Sequence, residues 1–122
     1  MITAAKRILH YVRGTVQFGI HYNAEASPLL VGFTDSDWAG DPGDLKSTPG
    51  YVFTLGSGPI TWACKKQGAI SLSSAEAEYH GTVEASKEAL WLRQILLEFG
   101  FQQQHPITLW CDNQSAIQLC KY

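Results

Sequence analysis

Three carboxylates stand where packing alone does not explain an acid: Asp35 in LLVGFTDSD, Glu78 in SLSSAEAEYHG and Asp112 in ITLWCDNQ. Aspartate is disfavoured inside strands, yet Asp35 follows Val31 and Phe33 on one face of a strand pattern. Glu78 heads a helical stripe continued by Thr82, Ala85, Ala89, Leu92, Leu96 and Phe99. The spacing by three and four, with small and apolar members, suits packing on a sheet. A carboxylate on such a stripe needs a cation or a strong donor. Its neighbour Glu76 lies about 200° round the helix and heads a polar row with His80, Lys87 and Gln94. Ser73, three residues earlier, makes a capping box that accounts for Glu76. Asp112 closes a strand pattern, where open α/β sheets present their functional side chains. Each acid also has a plainer reading. Asp35 can end a strand as a turn residue, Glu78 can be a rim ion pair or a charge at a helix start, and Asp112 can share an N-cap with Asn113. Asp37 and Asp41 read as turn residues.

Acids on three separate elements point to a hard, oxygen-ligand site for Mg²⁺ or Mn²⁺. Such sites suit phosphodiester hydrolysis with two ions roughly 3.5–4 Å apart. Other chemistries have less support. There is no GxSxG elbow, and DLKST lacks the glycine that a phosphate-binding loop needs before its lysine. His10, His21, His80 and His105 are scattered without ligand spacing. Cys64, Cys111 and Cys120 are odd in number, lack CxxC spacing and read as reduced, buried thiols.

The elements that must position these acids follow from periodicity. Residues 3–13 read as an amphipathic helix stopped by Gly14, with Ile2, Ala5, Ile8, Leu9 and Val12 on one side. The basic, acid-poor start could instead imitate a mitochondrial transit peptide. QFGIHYN reads as a short strand, and AEASP as a turn. LLVGFTDSD is a strand, and residues 39–50, dense in Gly, Pro and Asp, are a loop. YVFTLGSGPITWACKK is a hairpin around Gly56-Ser57-Gly58-Pro59, AISLSS a short extended piece, and a helix of about 24 residues then runs to Gly100. ITLWC is a strand able to pair in parallel through a crossover, and NQSAIQLCKY starts a helix. The chain has 122 residues, 45% apolar and 16% charged, with a net charge of −2. That suits one globular α/β domain and argues against a strongly basic nucleic-acid module or a membrane span.

Taken together, FTDSDWAGD, KSTPGYVF, PITWACKKQGAISLSSAEAEYHG, EALWLRQILLEFG and LWCDNQSAIQL resemble the ribonuclease H domain of copia-type (LTR) retrotransposon Pol polyproteins. AAKRILHYVRGTVQFGIHY resembles the end of the reverse-transcriptase connection. The resemblance divides the chain into residues 1–27, connection, and 28–122, a ribonuclease H-like domain. It implies a mixed β-sheet flanked by helices and cleavage of the RNA strand of RNA–DNA hybrids. Asp35, Glu78 and Asp112 would then bind two Mg²⁺ (or Mn²⁺) ions, with a metal-bound water as nucleophile. It further implies a reverse-transcriptase partner in the parent polyprotein and a cytoplasmic, particle-associated or nuclear setting. The family pattern continues past AIQLCKY to a further strand, helix and fourth acid. The expectation is therefore a fold lacking the last strand and helix, a site short of one ligand, and strand 107–111 left as a sheet edge. A second apolar row, Tyr79, Val83, Leu90 and Leu97, would lose its cover. Lys65, Lys66 and Gln67 could contact phosphates, with Trp62 packed nearby. The plainer alternatives are a solvated edge for the lysines and a core position for Trp62. For the whole chain, the alternative is a non-catalytic remnant or domesticated nucleic-acid-binding module.

Overall fold

The computed structural model describes residues 1–37, 46, 48–64, 68 and 73–113. The described elements run α1 (Ile2–Gly14), β1 (Leu30–Asp37), β2 (Thr48–Leu55), β3 (Gly58–Cys64), α2 (Ser74–Glu98) and β4 (Thr108–Cys111). The strands form one sheet in the order β3-β2-β1-β4. β1–β2 and β2–β3 pair antiparallel, and β1–β4 pair in parallel. α2 is the crossover that a parallel β1–β4 pair requires. This is an α/β fold with a mixed sheet flanked by helices, consistent with a ribonuclease H-like fold.

α2 begins where Ser73 Oγ accepts the Glu76 backbone N–H at 3.1 Å, satisfying a donor that helix geometry leaves free. It ends in a Schellman turn. Phe101 N–H donates to Leu96 O, Gly100 N–H donates to Leu97 O, and Gly100 stands at φ 85°. Phe99 was expected to continue the packed stripe but is exposed, because the chain has already left the helical wheel there. The rest of the stripe is seated as its spacing predicts: Ala85, Ala89, Leu92 and Leu96 pack with Leu30 and Phe53 as the core. The second row differs, with Tyr79, Leu90 and Leu97 exposed.

The sheet has two unlike faces. Under α2 lie Leu30, Gly32, Thr34 and Ser36 of β1, all buried. Gly32 has no room for a side chain, since a Cβ there would lie 2.5 Å from Phe53 Cε1 and 2.7 Å from Leu109 Cδ1. The bulkier alternate set faces away. Phe33 pairs with Trp110 on one side and Val52 on the other, and Val52 pairs with Trp62. The four side chains make one exposed row across all four strands, with Trp62 62% and Trp110 61% accessible. Trp62 is therefore not a core residue.

Three further expectations need correction. QFGIHYN is not a strand. It instead seats on the hairpin through both side chain and backbone: Tyr22 OH donates to Pro59 O, and the Asn23 backbone N–H donates to Ser57 Oγ at 2.8 Å. The predicted loop 39–50 ends early, because Thr48, Pro49 and Gly50 already belong to β2. Among the described residues, Pro49 pairs with Ser36 of β1. Asp37, read as a turn residue, is the last residue of β1 and pairs with Thr48. α1 forms as expected but buries none of its residues. Residues 69–72 of AISLSS, Asp41, Cys120 and residues 114–122 of the helix predicted after Asp112 lie outside the described residues, and Ser73 and Ser74 cap and open α2. Among those described, β4 is a sheet edge as expected, and no helix is long and apolar enough to cross a membrane.

Candidate functional site

At the carboxyl end of β1 two of the predicted acids, Asp35 and Glu78, come together. β4 pairs with β1 only as far as Thr34–Cys111, so the Ser36 N–H projects beyond the end of β4. Two carboxylates share that one donor. Asp35 Oδ1 accepts from it at 2.8 Å and Glu78 Oε1 at 3.1 Å. Asp35 reaches it from the open side of the sheet, and Glu78 from beneath α2.

Glu78 gets this close because Gly81, one turn on, lets the helix lie on the strand. A Cβ at Gly81 would stand 3.3 Å from Pro49 Cβ and 3.4 Å from Ser36 Cβ. Glu78 is only 5% exposed, and its Oε2 is buried with no hydrogen-bond partner. Burial pushes its carboxyl up from the usual 4.5 to about 7. The Ser36 N–H opposes the rise, while the charges of Asp35 and Asp112 add to it. A neutral-pH proton or a cation is what this environment lacks.

Asp112, exposed just past β4, completes the acidic end. One oxygen each from Glu78 and Asp112 and the Sγ of Cys111 lie within 4.8 Å of one another. Cys111 was read only as a buried thiol. It is half-buried and free, and Thr82 Oγ1 lies 3.8 Å from its Sγ. The strand period carried the missed signal: Cys111 is paired with Thr34, so it faces α2. Glu76 is spent elsewhere, 3.7 Å from His80 Nε2 on the outer helix face. Lys65, Lys66 and Gln67 lie outside the described residues.

The residues fit a divalent ion. An orphaned buried carboxylate oxygen, flanking acids and a single shared N–H make a site with more negative charge than its donors satisfy. The fold and these side chains define the class: an α/β domain with acids gathered at the carboxyl end of its central strands.

Comparison with known proteins places that class in a context. The chain is 43% identical over 117 residues to a retrovirus-related Pol polyprotein from transposon RE2 of Arabidopsis thaliana, covering 96% of the chain. It is 43% identical over 118 residues to the corresponding polyprotein from transposon TNT 1-94 of Nicotiana tabacum, covering 97% of the chain. The chain spans only 8% and 9% of those two polyproteins. It is also 44% identical over 89 residues to secreted RxLR effector protein 161 of Plasmopara viticola, covering 73% of the chain and 63% of that protein. No family model matches the chain, and no solved structure matches it significantly. The chain is thus homologous to a short segment of transposon Pol polyproteins.

Proposed function

We propose that this segment is the ribonuclease H part of a copia-type retrotransposon polyprotein, hydrolysing the RNA strand of RNA–DNA hybrids. The observation that carries the reading is Glu78, buried, orphaned at Oε2 and sharing the Ser36 N–H with Asp35. Asp35, Glu78 and Asp112 would hold Mg²⁺ or Mn²⁺. A divalent ion bound there polarises a phosphodiester and makes water nucleophilic at neutral pH. The chain's own part is positional. α2 keeps Glu78 out of water, the Gly81 contact fixes its height above β1, and the Ser36 N–H aligns it with Asp35. The exposed carboxylate of Asp112 leaves the other side open to a substrate backbone.

Under the same reading residues 1–27 end a reverse-transcriptase connection, and a neighbouring domain of the polyprotein is their partner. The exposure of the α1 side chains supports this, since a 13-residue helix with no buried residue gains little stability without a packing partner. A second reading, a binding module without catalysis, has one observation in its favour. Similarity over 89 residues extends to a protein named as a secreted effector rather than as a polyprotein.

The test is incubation of the chain with an end-labelled RNA–DNA hybrid and Mg²⁺. RNA cleavage is expected, absent with EDTA and in Asp35→Asn and Glu78→Gln. Cleavage equal to the Asp35→Asn control would defeat the enzymatic reading and leave the binding module.

A further inference from the structure

We propose that Glu78, Cys111 and Asp112 form a soft-metal site that takes Zn²⁺ in preference to Mg²⁺. The site stands on geometry and does not depend on the nuclease reading. Its three ligand atoms, a buried carboxylate oxygen, a thiol sulfur and an exposed carboxylate oxygen, lie within 4.8 Å of one another. Tetrahedral Zn²⁺ with bonds of 2.0–2.3 Å sets ligand atoms about 3.5 Å apart. From the 4.8 Å limit the ligand atoms therefore need to close by at most about 1.3 Å.

The buried carboxylate gives the independent indication of a ligand. Glu78 Oε2 has no partner although the residue is 5% exposed, and Glu78 is the member of the trio held rigidly by α2. Thr82, one helical turn past Glu78, donates its hydroxyl to the Glu78 backbone O at 2.9 Å, and its Oγ1 lies 3.8 Å from the Cys111 Sγ on β4. The threonine therefore stands between the two ligating residues.

The sulfur decides the metal. Thiolate is a soft ligand that favours Zn²⁺ and is shunned by Mg²⁺, which wants oxygen and keeps its water. A carboxylate–thiolate–carboxylate set leaves a fourth tetrahedral position for solvent. Asp35 is outside the trio. Zn²⁺ seated there would engage Glu78 and Asp112 without Asp35, and so compete with any hard ion that needs all three acids.

The experiment uses Co²⁺ as an optical stand-in for Zn²⁺. Titration of the reduced chain should give a thiolate-to-cobalt charge-transfer band saturating at one equivalent. Zn²⁺ should abolish the band, and a hundredfold excess of Mg²⁺ should not. The band should vanish in Cys111→Ser, survive in Cys64→Ser and Cys120→Ser, and need at least tenfold more Co²⁺ in Asp112→Asn. In the unmutated chain, Zn²⁺ should protect Cys111 selectively from iodoacetamide, as read by peptide mass spectrometry. That measurement stands whether or not a variant folds. Absence of both band and protection would overturn the proposal, as would a band that persists in Cys111→Ser or that Mg²⁺ removes. None of these readouts uses RNA cleavage, so failure of the nuclease reading is separately visible.

Discussion

Replacing Glu78 by glutamine should stabilise the metal-free chain at alkaline pH and do little at acid pH. The sign follows from linkage. The folded carboxyl is raised to about 7 from 4.5, so between those values the folded state holds a proton that the unfolded state has lost. Stability from this group is therefore full below about pH 4.5, declines as pH rises to about 7, and stays low above it. At about 1.4 kcal/mol per pH unit, the rise from 4.5 to about 7 corresponds to roughly 3 kcal/mol. Asp35 and Asp112 are exposed, and solvent screens their share, leaving about 2 kcal/mol. Glutamine keeps an oxygen to accept the Ser36 N–H and adds an amide donor towards Asp35. Urea unfolding of both chains, followed by far-ultraviolet circular dichroism from pH 4 to 8.5 in EDTA, measures the difference. Acids common to both chains cancel. The variant should gain about 2 kcal/mol relative to the parent between pH 4.5 and 8. A difference that is flat with pH, or a variant that loses ground as pH rises, would refute the account of Glu78 as a buried, under-satisfied acid.

Other perturbations test the frame around the site. Gly32→Ala places a methyl 2.5 Å from Phe53 Cε1 and should cost about 1–3 kcal/mol by overpacking, read as a lower urea midpoint. Gln103 accepts the Leu30 N–H at 2.9 Å and donates to Pro28 O at 2.8 Å. Gln103→Ala orphans a buried N–H at the start of β1 and should cost about 1–3 kcal/mol, whereas a neutral result in thermal melts would show that water replaces the amide. Ser73→Ala removes the α2 cap and should cost about 1 kcal/mol, with no change in the pH profile that Glu78 controls. A pH-dependent loss would mean the cap and the buried acid are coupled.

Much of this architecture was legible in the residue pattern. Glu78 and Glu76 separate on a helical wheel because 3.6-residue geometry fixes their directions, and the structure puts the first under α2 and the second beside His80. Gly100 marked the helix end, and Gly56-Ser57 marked the hairpin. What remained hidden depends on tertiary choice. The two-residue period of β1 could sort its side chains into two sets but not say which set α2 would cover. The covered set is the smaller one, Gly32, Thr34 and Ser36, because Gly81 and Ala85 bring the helix close. QFGIHYN alternates like a strand, yet it docks on the hairpin through the Tyr22 hydroxyl and the Asn23 backbone N–H instead of joining a ladder. The two-residue period of β4 puts Cys111 on the Thr34 face once the register with β1 is known, but that register is set across the crossover and not by any local spacing.

The parallel pairing of β1 with β4 also has a consequence for when the site comes into being. β1, β2 and β3 are consecutive and can associate as soon as each leaves the ribosome. Asp112 is made 77 residues after Asp35, which at 5–20 residues per second is a delay of roughly 4–15 s. Throughout that interval the Ser36 edge of β1 has neither its strand neighbour nor its full set of acids. The site is thus a late product of synthesis, formed only when the crossover closes, and a nascent chain presents an open strand long before it presents the gathered acids.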